Sequence, residues 1–138
     1  MPKIVIDTNV LIGALIGKQY SANRKLLELC LTQKFVPLMN NTLFAEYEDV
    51  ISRKEILNKS IYTELEINEF LDALLSVCQW VKIYYLWRPN LQDEKDNYLV
   101  ELAVAGNAGF IVTHNIKDFQ RSQLKFPQIK IKKPQEII

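Results

Sequence analysis

Apolar and polar positions change period several times along the chain, and each change marks an element. Ile4-Val5-Ile6 is an unbroken apolar run, the pattern of a strand buried on both faces, as in a parallel sheet covered by helices. From Ser21, a reasonable N-cap, apolar residues recur at helical spacing through Leu26, Leu27, Cys30 and Leu31. Phe35 to Met39 reads as a second strand, at an edge or interrupted, because Pro37 lacks a ladder donor. Asn41 then caps a helix over Thr42 to Ser52. Thr63 and Glu66 match a capping box ahead of the strongest helical stripe, Ile67, Phe70, Leu71, Leu74, Leu75 and Cys78. Trp80 to Leu86 is β-branched and aromatic, a third strand. Asp93 to Ala105 is helical, with Gly106 and Gly109 at its end, and Phe110 to Thr113 is a fourth strand. A short strand from about Gln128 to Lys132 precedes a helical stub at Pro134. Strands alternating with helices predict right-handed crossovers and a three-layer α/β/α sandwich with a mainly parallel, Rossmann-like central sheet.

Composition narrows this only a little. A chain of 138 residues fits one domain spanning 1–138, and a domain of that size buries roughly two-thirds of its unfolded surface. With 49% hydrophobic and 24% charged residues, no disordered or repetitive tract is expected. A net charge of +1 argues against a protein that coats nucleic acid by bulk electrostatics, while leaving room for a local basic patch. Cys30 and Cys78 fall inside apolar helical patterns and read as small hydrophobes in a reducing cytosol. Asp7 and Asn9 break the apolar N-terminal stretch, so no signal peptide is expected. No segment approaches the ~20 apolar residues of a membrane span, and the expected location is the cytoplasm.

Candidate chemistry gathers at one edge of the expected sheet. Asp7 ends the first strand, and open α/β sheets place ligands just outside the carboxyl ends of their strands. Glu46 lies at the border of the stripe Leu43, Tyr47, Val50 and Ile51; the alternatives are a partly exposed carboxylate reaching water or one paired with a base. Asp93 and Asp96 open the next helix, where acids in a first turn also favour the helix dipole and Asp93 is a fair N-cap. Asp96 shares a face with Leu99 and Ala103. Thr113-His114-Asn115-Ile116-Lys117-Asp118 follows the fourth strand directly. Clustered carboxylates repel one another unless a cation sits among them. One histidine and two buried cysteines leave little material for zinc, whereas oxygen ligands suit Mg²⁺ or Mn²⁺ and the hydrolysis of a phosphodiester.

Taken in order, Ile4 to Leu11, the acid in Phe44-Ala45-Glu46-Tyr47, the helix start from Asp96 to Ala103, and Ile111 to Phe119 resemble the successive motifs of PIN-domain ribonucleases. The resemblance spans nearly the whole chain, and the set is similar to the toxins of type II toxin–antitoxin systems, the VapC-like group. It implies that Asp7, Glu46 and Asp96 are acidic ligands of Mg²⁺ or Mn²⁺, that Thr8 and Asn9 orient Asp7, and that Thr113 supports the site by hydrogen bonding. It also implies an RNA substrate, a cognate antitoxin protein and a homodimer, to which the helix from Thr63 to Trp80 contributes apolar surface. One position departs from the pattern. Many PIN domains carry a fourth acid where this chain has Asn115, and Asp118 or Asp93 would have to substitute.

Two other functions remain open: a catalytically weak PIN fold that binds RNA or protein, and a metal-dependent phosphatase. The latter calls for an Asp-x-Asp loop, but Asn9 stands at its second acid. Lys18, Arg24, Arg53, Lys54, Arg88, Lys117 and Arg121 are candidates for phosphate contacts, and Tyr20 or Trp87 for base stacking. Lys130, Lys132 and Lys133 are expected to guard an edge strand.

Overall fold

In the computed structural model, residues 1–17, 21–82, 97–120 and 126–138 are described. Five parallel strands form one sheet in the order β3-β2-β1-β4-β5: β1 Lys3–Ile6, β2 Val36–Met39, β3 Gln79–Trp80, β4 Phe110–Val112 and β5 Lys130–Lys132. Register is set by pairs such as Ile4 with Pro37 on one side and Val5 with Ile111 on the other. The continuous apolar run therefore lies at the centre of the sheet, where Ile4, Val5 and Ile6 are at most 2% exposed. Helices on both faces complete the three layers.

This strand order places the topological switch between β1 and β4. The chain leaves β1 toward β2 and β3, then returns on the other side to β4, so the two following connections diverge and open a crevice at the carboxyl ends of those two strands. Asp7 and Thr113 are the first residues beyond them.

The helices are α1 Thr8–Ile16, α2 Ala22–Leu31, α3 Asn41–Ser52, α4 Lys54–Lys59, α5 Glu64–Val77, α6 Asn97–Ala105 and α7 Ile116–Gln120, followed by a 3-10 turn over Pro134–Glu136. Ser21 caps α2 by accepting the Arg24 amide, and the Thr63–Glu66 capping box forms in both directions. Asn40, not Asn41, caps α3, accepting the Leu43 amide at 2.8 Å. Two adjacent asparagines offer the same chemistry, so sequence alone could not separate them. The helix α1 escaped the periodicity reading because Val10 to Ile16 is almost uniformly apolar and has no polar phase. A Cβ at Gly13 would collide with the Asn23 amide, so this glycine permits the close packing of α2 on α1.

After α6 the left-handed residue is Asn107 (φ 59), not a glycine; Gly106 is needed for room, since a Cβ there would strike Leu38. The third strand, expected over Trp80 to Leu86, is Gln79–Trp80: it starts one residue earlier, Val81 and Lys82 lie beyond it, and residues 83–86 lie outside the described residues. The expected helix start at Asp93 and Asp96 lies outside them as well. Among the described residues, no helix is long and apolar enough to cross a membrane.

One buried polar contact ties α3 to the strand that carries Asp7. The Tyr47 hydroxyl donates to the Ile6 carbonyl at 2.7 Å, and burial pushes its phenol well above 10, so it stays a neutral donor. Removing only that hydroxyl, Tyr47→Phe, leaves the ring in place and strands a buried carbonyl. We expect a loss of about 1–2 kcal/mol in a urea melt with an unchanged slope. A variant as stable as the parent would show that the bond adds nothing.

Candidate active site

Asp7 is the hub. Its backbone amide donates to the Val112 carbonyl at 2.9 Å, extending the β1–β4 ladder by one bond and delivering the side chain into the switch-point crevice. The carboxylate is 5% exposed. Its Oδ2 accepts the Thr113 hydroxyl at 2.8 Å and the Asn9 side-chain amide at 3.3 Å, and its Oδ1 accepts the Thr8 hydroxyl at 3.4 Å; the backbone amides of Thr8 and Asn9 also face the carboxylate. Burial pushes the Asp7 carboxyl above its ordinary 3.8, while Thr113, Thr8 and Asn9 pull in the opposite direction.

Hydrogen-bonding capacity distinguishes holders from ligands in this network. The Thr113 hydroxyl spends its one proton on Asp7 and accepts from the Asn9 side chain at 3.2 Å and the Asn115 amide at 2.9 Å, so both lone pairs are used. Asn9 points its NH₂ at Asp7 and Thr113, and its carbonyl oxygen accepts the His114 amide at 3.2 Å. The Thr113 hydroxyl is therefore saturated, both Asn9 amide protons are committed, and the two residues act by fixing Asp7.

These donors are all neutral. Among the described residues no ion pair reaches Asp7, and a buried carboxylate held only by neutral groups fits a divalent cation as its missing counter-charge. Sulfur ligation does not fit: burial pushes the Cys30 and Cys78 thiols up to about 12, which keeps them protonated.

The remaining expected residues fall into three groups. Thr8, Asn9, Thr113 and Asn115 join Asp7 through the contacts above. Glu46 lies on the exposed side of α3, beside Tyr47, with no hydrogen bond to Asp7, and among the described residues no group of three or more acid, histidine or cysteine side chains assembles that could hold a metal ion. Asp118 is buried on α7, 8% exposed. Asp93 and Asp96 lie outside the described residues, as do Lys18, Tyr20, Trp87, Arg88 and Arg121.

Two basic candidates are already committed within the chain. Arg24 stacks over the rings of Phe70 and Tyr62, 4.0 and 4.8 Å from their centroids, and pairs with Glu28 at 3.6 Å; Arg53 pairs with Asp49 at 2.7 Å. The sequence reading also missed Glu101, only 3% exposed in α6. Its signal was present as the one charge within the apolar run Tyr98 to Ala105.

Comparison with known proteins identifies the family and the fold. The PIN domain family profile matches residues 3–117, from the first residue of β1 to the residues just beyond β4. The chain belongs to the PIN-domain family. PIN domains are typically nucleases and generally use divalent metal ions. A chain of the crystal structure of VapBC2 from Rickettsia felis, bound to a DNA fragment from their promoter, superposes with a TM-score of 0.61 at 22% identity, covering 95% of this chain and 98% of that one. At that identity the likeness is one of fold. Among curated proteins no sequence match is found. Within this PIN domain, Asn115 stands at the position where the sequence comparison expected a fourth acid, and its backbone amide, rather than its side chain, is what engages Thr113.

Proposed function

We propose that this PIN domain, as a single domain over 1–138, is a Mg²⁺- or Mn²⁺-dependent endoribonuclease that hydrolyses RNA phosphodiester bonds, and that it is the toxin of a toxin–antitoxin pair. The observation that carries the reading is the buried Asp7 carboxylate at the switch point, held, among the described residues, by neutral donors alone. Asp7, Glu46 and Asp96 would hold the cation, with Asp93 and Asp118 nearby in sequence as supporting acids. When bound, the cation supplies Lewis-acid activation of water and neutralises charge on the reacting phosphodiester. The chain's own residues prepare that site. Thr113 and Asn9 lock the Asp7 rotamer, Thr8 touches its Oδ1, and burial keeps bulk water from screening the carboxylate's charge.

Partners follow from the same reading. Ile61 and Leu65 are 65% and 68% exposed at the start of α5, apolar surface that suits an antitoxin or a second copy of the chain, and the fold likeness to VapBC2 supports an antitoxin partner. A cytoplasmic location accords with an RNA substrate.

Asn115 favours a second reading, a catalytically weak PIN fold that binds RNA or protein, because a neutral amide is a poorer metal ligand than a carboxylate. Asn115→Asp separates the two. For a nuclease, the added charge tightens Mn²⁺ binding by calorimetry, roughly tenfold, and RNA cleavage holds or rises. For a binding module, the parent shows no EDTA-sensitive cleavage, and the variant leaves RNA affinity unchanged or lowers it by repelling phosphate.

A further inference from the structure

Just beyond the carboxyl ends of β4 and β5 lies a cavity of about 670 Å³, lined chiefly by His114, Asn115, Lys117, Lys133, Gln135 and Glu136. It adjoins the Asp7 network directly, because its wall residue Asn115 donates its amide to Thr113, which in turn donates to Asp7. We propose that this cavity holds a phosphodiester of the RNA strand flanking the one that is cut, between the ammonium groups of Lys117 and Lys133. The proposal rests on the nuclease reading for the identity of the strand.

Charge and chemistry point to a sugar-phosphate unit. Two exposed ammonium groups face one carboxylate, and Glu136 Oε1 already accepts the Lys133 backbone amide at 2.8 Å, so the cavity is net positive with part of its negative charge engaged. Asn115, Gln135 and His114 add further polar groups. Among the described residues no Phe, Tyr or Trp lines the cavity and the one ring there is the His114 imidazole, so the two lysines point first to recognition of the backbone. The volume lies within the range of small-ligand pockets and exceeds what a bare anion needs.

The structure also divides the lysines that the sequence grouped together. Lys130 and Lys132 belong to β5, the edge strand, where charge discourages further pairing. Lys133 lies past the strand, at the start of the 3-10 turn, and lines the cavity; Lys130 does not.

The test is fluorescence anisotropy of a labelled single-stranded RNA oligonucleotide on the full chain in EDTA, across a salt series, for the parent, Lys117→Gln, Lys133→Gln and Lys130→Gln. The slope of log affinity against log salt falls by about 0.7 for Lys117→Gln and for Lys133→Gln, one phosphate each, and affinity weakens by the same factor on oligonucleotides of unrelated sequence. Lys130→Gln leaves the slope at the parent value. Equal losses from Lys130→Gln would indicate a diffuse field and overturn the subsite, as would unchanged slopes for the two cavity variants. If adenosine monophosphate binds and Lys133→Gln abolishes only that binding, the cavity serves a free nucleotide and the proposal is likewise overturned. Because EDTA removes cleavage from the readout, a parent that never cuts RNA defeats the nuclease reading without deciding this one.

Discussion

Asp7→Asn protein will retain its fold and lose metal-dependent RNA cleavage by about 10³-fold or more, because the substitution keeps the shape of the hub and removes the charge that would hold the cation. The hydrogen bonds survive the change. The remaining carbonyl oxygen can accept from Thr113 and Asn9, and the new amide faces the Thr8 hydroxyl, which can turn to accept. Stability should move the opposite way to activity. Burial raises the Asp7 carboxyl above 3.8, so its contribution to folding is fully present below pH 3.8 and is lost as pH rises through the raised value. At pH 7 the metal-free parent therefore carries a buried anion, and metal-free Asp7→Asn melts at the same temperature or higher. Added Mn²⁺ reverses the order: at a hundredfold excess over its dissociation constant it stabilises the parent by about 2.7 kcal/mol and leaves the variant where it was. Differential scanning calorimetry with and without Mn²⁺ reads both effects. Equal Mn²⁺ shifts in the two proteins would remove Asp7 from the metal site.

The second large effect is expected at Glu46, and here structure and function separate more cleanly. Glu46 is exposed on α3 and forms no hydrogen bond or ion pair among the described residues, so Glu46→Gln should alter stability by no more than about 0.5 kcal/mol. Cleavage should nonetheless fall by at least about 100-fold if the carboxylate reaches the cation once metal and RNA are bound. Asp96→Asn should behave alike. Wild-type turnover by Glu46→Gln would return that residue to an ordinary solvated surface acid, whereas a fall in melting temperature without loss of cleavage in Asp96→Asn would leave that residue a helix-capping acid.

The legible parts of this chain are those where local chemistry and the fold agree. Ile4-Val5-Ile6 could only be comfortable inside a sheet, Ser21 and the Thr63–Glu66 box announce their helices, and all three stand where the sequence put them. Short or uniform elements were not legible: α4 has six residues and α7 five, too few for a period, and α1 lacks a polar face. At the site, Asp7 was visible because a lone acid ends an apolar strand. The commitment of the Thr113 hydroxyl and the Asn9 amide protons was not, since it depends on bonds across more than a hundred residues of chain. Nor was the Tyr47 anchor, which from the periodicity is simply one more residue of an apolar stripe. Lys133 shows the same limit: three lysines in four positions read as one group until the strand ends between them.

The most direct measurement is a denaturing gel of labelled single-stranded RNA incubated with purified parent and Asp7→Asn protein, with Mg²⁺ or Mn²⁺ and with or without EDTA. The account predicts discrete internal cleavage by the parent that requires the metal, stops in EDTA, returns when Mn²⁺ is restored in excess, and is absent from Asp7→Asn throughout. Cleavage that persists in EDTA, cleavage by Asp7→Asn at the parental rate, or intact RNA with a parent that calorimetry shows to bind the metal would contradict it.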